Sequence, residues 1–306
     1  MKKGIISTIG MAVLIMGTLV GCGKQDTQSL ARKWNAEENN EFNVDTKEKP
    51  IDLTGRVIVT GDTYKVYDNG ILEIIGEYSL DEEDMSEITV NKILTYEFDK
   101  VYVTGEKIRY FPNLTGKNYE LYIDENVKII NTDAFKENNQ ITKLVVYGEE
   151  TAIENNAFYG CTELKEVKLQ GKAIDIGYGC FEGCVKLENV KLPEAIKNIR
   201  YNMFYGCESL KEIKLPNSVE EMGDRVFYGC INLQNISLSD NLRNIGENAF
   251  KYCCELSSVE IPKTVECLYG GVFEGCVSLS KVVIDRSLSK YEEDGYFGQD
   301  VKVLYN

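Results

Sequence analysis

The chain has 306 residues, of which 34 are basic and 49 acidic, giving a formal net charge of −15 at pH 7. Apolar residues make up 43% of it, which is enough for a buried core and excludes a globally disordered chain. The acidity argues against nucleic-acid binding, because the chain lacks the excess of Lys and Arg that displaces counterions from phosphates. Histidine is absent, which excludes serine–histidine and cysteine–histidine nucleophiles and histidine zinc sites.

The first residues predict export. Two lysines precede a short apolar stretch over residues 5–20 that contains glycine, as in a signal peptide. The stretch ends in Leu-Val-Gly-Cys at residues 19–22. This tetrapeptide resembles the lipobox of bacterial lipoproteins, which implies cleavage before Cys22 and a diacylglyceryl group on its sulfur. We therefore predict a lipoprotein signal peptide over residues 1–21. An ordinary signal peptide with an incidental cysteine, or an uncleaved anchor, is the alternative.

A tether and an entry cap follow. Residues 22–50 are polar and charged, which predicts a flexible tether, because they bury too little surface to offset the entropy of ordering. Residues 51–123 predict a β-rich entry cap with degenerate first repeats. The expected strands are Arg56–Thr60, Tyr64–Tyr67, Ile71–Ile75, Val101–Val103 and Glu120–Ile123. Asp-Asn-Gly between the second and third strands predicts a β-hairpin turn. A short helix is expected over residues 81–95.

One 23-residue unit recurs seven times over residues 124–285. Its clearest copy is AFYGCTELKEVKL, Ala157–Leu169. Each unit is marked by one phenylalanine, and these are Phe135, Phe158, Phe181, Phe204, Phe227, Phe250 and Phe273. A fixed period of this length is typical of a stacked solenoid, in which each unit completes its core only against its neighbours.

Each unit contains one strand and one tight return. Apolar residues nine and eleven places after the phenylalanine alternate with polar ones, which predicts a half-buried strand. The Phe-x-Gly segment is too short for an α-helix and predicts a 3₁₀ or single-turn return. The pattern fails after residue 285, so residues 286–306 predict a C-terminal cap with a last strand at Val301–Tyr305. The predicted fold class is a β-rich α/β repeat.

The repeated pattern carries a family resemblance. AF-x-GC-x-x-L-x-x-V-x-L-P, with an isoleucine five residues before the next phenylalanine, is similar to the BspA-like leucine-rich repeats of bacterial surface proteins. The entry hairpin YDNGILEIIGEY also looks like the segment that precedes such arrays. The resemblance covers residues 124–285 and implies a right-handed leucine-rich-repeat solenoid. It also implies a surface protein that binds other proteins, with adhesion as the role of some members.

Six of the nine cysteines after Cys22 share one place, three residues after the phenylalanine. They are Cys161, Cys184, Cys207, Cys230, Cys253 and Cys276. Asn138 holds this place in the first unit. Asparagine and thiol are both small groups that can donate to backbone carbonyls at a turn, so we predict a structural ladder of buried free thiols. Disulfides, which export would permit, and a metal or redox site are the alternatives.

The outward side of the strands is the predicted binding face. Its side chains are Glu166, Lys168, Asn189, Lys191, Glu212, Lys214, Asn235 and Ser237. Val145 is expected to face outward in the same row. Three lysines on successive units suit an acidic protein or a glycan, and the alternative is a solvated face with Lys–Glu pairing. Tyr159, Tyr205 and Tyr228 either form a second patch or pack over the turn.

These features predict a lipid-anchored surface protein that recognises a protein or glycan and meets the membrane through Cys22. We predict no enzyme activity, no cofactor and no metal. One alternative is a passive envelope spacer or assembly component. Another is a glycan-active enzyme with two carboxylates, although no acid pair stands out from the repeat and a regular solenoid offers no deep cleft.

Overall fold

The computed structural model describes residues 51, 53–61, 64–76, 79–80, 98–114, 117–172, 175–293, 296–297 and 300–306. The predicted signal peptide, tether and helix over residues 81–95 lie outside this range. In the repeat region, parallel strands pair with equivalent strands 23 residues away, as Glu166–Leu169 does with Ile141–Val146 in the preceding unit. The predicted leucine-rich-repeat solenoid is therefore confirmed.

Strands along one side of the solenoid form what we call the strand face. Eight of them join in one sheet in the order Val57–Thr60, Tyr64–Tyr67, Ile71–Ile75, Lys100–Thr104, Tyr119–Ile123, Ile141–Val146, Glu166–Leu169 and Asn189–Lys191. The first two pairs are antiparallel and the later pairs are parallel. The predicted hairpin between Tyr64–Tyr67 and Ile71–Ile75 is confirmed, and the strand before it begins at Val57, one residue later than expected.

The strand face continues in two further hydrogen-bonded groups. These are Glu212–Lys214 with Asn235–Ser237, and Ser258–Glu260 with Lys281–Ile284 and Lys302–Tyr305. The expected last strand is present at Lys302–Tyr305, and it pairs in parallel with the final repeat strand. A 3₁₀ helix at Arg286–Leu288 and an α-helix at Ser289–Glu293 precede it. Within the described residues, no helix is long and apolar enough to cross a membrane.

A second row of two-residue parallel strands stabilises another side of the solenoid. Its strands form two groups, Ser79–Leu80, Lys107–Ile108, Ile129–Ile130, Ala152–Ile153 and Asp175–Ile176, then Asn198–Ile199, Glu221–Met222, Asn244–Ile245 and Cys267–Leu268. In seven of these strands the second residue is the apolar residue that lies five places before a phenylalanine of the repeat. These side chains are buried in the main core, which explains why that place is apolar in every unit.

The repeated phenylalanines stack into what we call the phenylalanine spine. From Phe135 to Phe273 the neighbouring ring centroids lie 4.9–5.8 Å apart with interplanar angles of 14° or less. The spine extends to Phe111 before the repeats and to Phe297 after them. Offset aromatic stacking adds about 0.5–1.5 kcal/mol per pair to the burial of the rings. The spine therefore ties each unit to both neighbours.

The segment around each phenylalanine is the predicted single-turn return. We call the side of the solenoid that these segments form the turn face. In the unit of Phe204, the amide of Cys207 donates to the phenylalanine carbonyl at 3.1 Å. Gly206 between them has φ +68°, a backbone region that disfavours L side chains and interrupts a 3₁₀ helix. The same unit has Asn202 at φ +56°. Two left-handed residues per unit thus bend the chain through consecutive turns.

One outward place on the strand face is buried, contrary to the sequence prediction. Val145 is 0% exposed and lies in a second apolar cluster with Tyr102 and Tyr122. Ile51 and Leu53 pack against this cluster. The prediction for Val145 was wrong because alternation shows which side a residue faces, while residues distant in sequence decide whether that side is covered. The open strand face consequently begins at Glu166, the next unit.

Candidate binding surfaces

The predicted binding face is brought together by strand register. Glu166 and Lys168 lie opposite Asn189 and Lys191 on the next unit. The four remaining predicted residues form a second such set, in which Glu212 and Lys214 lie opposite Asn235 and Ser237. The hydrogen-bonded ladder is interrupted between these two sets. Six of these side chains are exposed, and Glu166 and Lys168 are half-buried.

Glu166 is the electrostatic centre of the first set. Its carboxylate lies 2.9 Å from Lys168 Nζ and 3.8 Å from Lys143 Nζ. These groups are partly exposed, so each pair contributes at most about 1 kcal/mol. Lys214 has no carboxylate within 4.0 Å in the described part of the chain. Lys–Glu pairing therefore neutralises part of the charge at Lys168, the first lysine of the row, while the charge of Lys214, the last one, is available to a partner.

The six repeated cysteines occupy equivalent places in the core. Each thiol donates to the carbonyl oxygen of the phenylalanine in the preceding unit, at 3.0–3.3 Å. In the first unit, Asn138 Nδ2 plays the same part by donating to Pro112 O at 3.1 Å and to Tyr119 Oη at 3.0 Å. A weak donor thus meets a buried carbonyl that would otherwise lack one of its partners.

Burial lowers the expected reactivity of these thiols. It raises the pKa of Cys161 and of Cys276 to about 12, and it also raises the pKa of the four thiols between them in the ladder. Because the thiolate is the nucleophile and metal ligand, a raised pKa suppresses both reactions at neutral pH. The nine cysteines from Cys161 to Cys276 are all free thiols in the structure.

We expect thiol titration to reveal nine free cysteines in protein denatured without reductant. In the native protein Cys267 should react first, because it is half-buried whereas the other eight are buried. Ellman's reagent at pH 8 measures how fast Cys267 and the buried cysteines react in the native protein. The same reagent in denaturant gives the total number of free thiols. A count below seven would contradict the free-thiol ladder and indicate disulfides.

Tyrosines gather on the turn face. Tyr178 and Tyr201 stack with centroids 4.5 Å apart, and Tyr205 and Tyr228 stack 4.7 Å apart. Tyr201 is 47% exposed. Of the three tyrosines considered from the sequence, Tyr205 and Tyr228 therefore pack as a pair. Tyr178 and Tyr201, which the sequence analysis did not single out, form a second pair. The available signal was the repeat itself, since the stacked tyrosines are 23 residues apart.

A half-buried carboxylate lies among these tyrosines. Glu182 occupies the place directly after its unit's phenylalanine, as Tyr159 and Tyr205 do in the neighbouring units. Asn202 Nδ2 donates to Glu182 Oε2 at 3.1 Å. Desolvation raises the pKa of this carboxyl, and the hydrogen bond from Asn202 partly opposes the shift. Folding therefore disfavours the ionised form unless a cation accompanies it.

A further open depression has a volume of about 430 Å³. It is lined by Glu220, Asn241, Arg243, Lys263, Thr264 and Glu266, none of which the sequence analysis singled out. Glu220 is already paired with Lys197 at 3.0 Å, and the lining carries both signs of charge. In the described residues, no three acidic or cysteine side chains are grouped as metal ligands.

One known repeat family matches most of the solenoid. Residues 107–202 and 174–301 match the family described as "BspA type Leucine rich repeat region", in six copies. No curated protein matches the chain.

Solved leucine-rich repeat structures also align with it. The leucine-rich repeat protein of T. pallidum is 25% identical over 74% of this chain and 95% of its own, with a TM-score of 0.46. A leucine-rich repeat protein from Eubacterium ventriosum is 17% identical over 70% and 93%, also with a TM-score of 0.46. A leucine rich cell surface protein from Faecalibacterium prausnitzii is 14% identical over 81% and 94%, with a TM-score of 0.27. Since the family match spans more than half of its residues, the chain belongs to the BspA-type leucine-rich repeat family.

Proposed function

We propose that this chain is a lipid-anchored envelope protein whose solenoid recognises another protein through its strand face. The observation that carries the proposal is the open row from Glu166 to Ser237, which presents different polar side chains on an otherwise repeated scaffold. A scaffold with constant inner columns and variable outer ones suits selective binding, because outer residues can change without disturbing the core.

The charge of this row indicates the chemistry of the partner. Lys168 and Lys191 lie directly opposite each other, and Lys214 follows on the next unit. Like charges placed opposite each other destabilise a sheet. Glu166 offsets part of this repulsion through its pair with Lys168, and a partner that supplies carboxylates along the row adds further ion pairs. We therefore propose an acidic protein surface as the ligand. An acidic glycan is the second ligand class that the same lysines would suit.

The test is saturable binding of the full chain, held in detergent, to a panel of purified extracellular and envelope proteins. Binding that saturates at a fixed stoichiometry and weakens with added salt supports electrostatic recognition. A chain that binds no panel member and localises normally would favour the passive spacer. Binding to acidic glycans alone would replace the protein ligand.

The proposed anchor makes its own prediction. Replacing Cys22 by Ser should move the protein from the membrane fraction to the soluble exported fraction, because stable anchoring needs the acyl chains that this sulfur would carry. Fractionation with immunoblotting measures the shift. Replacement of the neighbouring Gly23 by Ser is the matched control and should leave the protein membrane-bound. A Cys22→Ser variant retained in the membrane would contradict lipid anchoring.

A further inference from the structure

The turn face carries the same cluster of side chains twice. The two sets are Asn156, Gly179 and Glu182 and, four units later, Asn248, Gly271 and Glu274. In each set the carboxylate lies over the glycine, where a Cβ would come within 3.2 Å of Glu182 Oε2 or 3.5 Å of Glu274 Oε2. Both glycines have positive φ, 56° and 68°. The repeat thus builds the same carboxylate notch at two places.

The two notches differ in whether a lysine of the chain is paired with the carboxylate. Lys251 occupies the place 23 residues before Glu274, and its Nζ lies 2.8 Å from the carboxylate. The corresponding place before Glu182 is held by Tyr159. No lysine or arginine in the described part of the chain lies within 4.0 Å of Glu182. The first notch therefore has the carboxylate of the second without its ammonium group.

The surroundings of Glu182 suit a cation supplied from outside. Tyr159 and Tyr205 occupy the equivalent place on the two adjacent units. Burial raises the pKa of both phenols, and the nearby charge of Glu182 adds to the rise. Lys136 Nζ already lies 5.4 Å from the centroid of the Tyr159 ring, which shows that this ring can accept an ammonium group. A carboxylate between aromatic rings binds cations by a charge-assisted hydrogen bond together with cation–π attraction.

We propose that the notch at Glu182 binds a lysine or arginine side chain of a protein partner, in the way that the equivalent notch at Glu274 binds Lys251. The incoming cation takes the place that the repeat assigns to an internal lysine. This surface belongs to the turn face and differs from the strand face in charge, so the protein has two surfaces of opposite preference. For its use in the cell the inference rests on the proposed recognition function.

The experiment uses the full chain in detergent with fluorescent octalysine and octa-arginine as probes, followed by anisotropy. Glu182→Gln keeps the hydrogen bond from Asn202 and removes the charge, and we expect about tenfold weaker binding. Glu188→Gln is the matched control, because it removes the same charge from an exposed place in the same unit. We expect it to weaken binding less than about twofold, through net charge alone.

Two exchanges test the internal comparison. Tyr159→Lys should fill the notch from within and weaken peptide binding as much as Glu182→Gln does, with an unchanged far-UV circular dichroism spectrum. Lys251→Tyr should open the second notch and raise the number of bound peptides by one.

Equal losses for the two glutamine variants, or full peptide binding by Tyr159→Lys, would overturn the proposal. So would a neutral oligosaccharide that binds the notch in preference to the peptides. These comparisons are made between turn-face variants with the strand face unchanged. They remain decisive even if the strand face proves to bind nothing.

Discussion

Replacing Phe204 by Ala is expected to lower the free energy of unfolding by about 3–5 kcal/mol. The ring is fully buried and stacks on Phe181 at 5.8 Å and on Phe227 at 5.6 Å. The neighbours cannot collapse into the space left, because hydrogen bonds such as Phe204 N to Val226 O at 3.0 Å hold the units at a fixed spacing. Urea denaturation followed by far-UV circular dichroism measures the change.

The position of Phe204 near the middle of the array should also change the shape of the transition. A solenoid is stabilised by contacts between neighbouring units, so a weakened central interface lets the two halves unfold separately. Tyr201→Ala is the control, because this ring lies in the same unit but is 47% exposed, and its loss should cost less than about 1 kcal/mol. Equal costs for the two variants would show that the spine does not couple the units.

Much of the fold could be predicted because the inner places of the repeat are set by local geometry. A residue such as Phe204 or Cys207 lies next to its equivalent in the neighbouring unit. A 23-residue period in the sequence therefore predicts which residues are in contact in the folded chain. The thiol place illustrates this point. A small donor was expected there, and the structure supplies Phe181 O as its acceptor at 3.3 Å.

The outer surface could be predicted less well, since its state depends on contacts outside the repeat. Val145 has the alternation of an exposed residue, yet the entry cap brings Ile51 and Leu53 against its cluster. No spacing rule connects residues 51 and 145. The hydrogen-bonded ladder is also interrupted between Asn189–Lys191 and Glu212–Lys214. The sequence of the repeat does not predict this interruption.

The site at Glu182 shows an intermediate case. The relevant signal was in the sequence, because Asn156, Gly179 and Glu182 recur four units later with Lys251 in place of Tyr159. What the sequence lacked was the direction of the side chains. The structure adds that the carboxylate of Glu182 lies over Gly179. This placement shows that the site at Glu182 matches the one at Glu274 except for the missing lysine.

The lysine row on the strand face makes the second large prediction. The variant that carries Lys168→Glu, Lys191→Glu and Lys214→Glu should bind an acidic protein partner at least about a hundredfold more weakly. Each exchange replaces an attractive contact with like-charge juxtaposition, and Lys168 also loses its pair with Glu166 at 2.9 Å. The affinity of the wild-type chain should fall with ionic strength, because the lysines attract the partner through solvent.

A second triple variant separates this effect from net charge. Lys128, Lys172 and Lys263 are exposed lysines outside the strand face, and changing all three to Glu alters the charge of the chain by the same amount. We expect that control to change affinity less than about threefold, mainly through the association rate. Isothermal titration calorimetry measures the dissociation constant of each triple variant for the partner. If the two triple variants lose the same affinity, the partner responds to overall charge and the strand face is not its binding site.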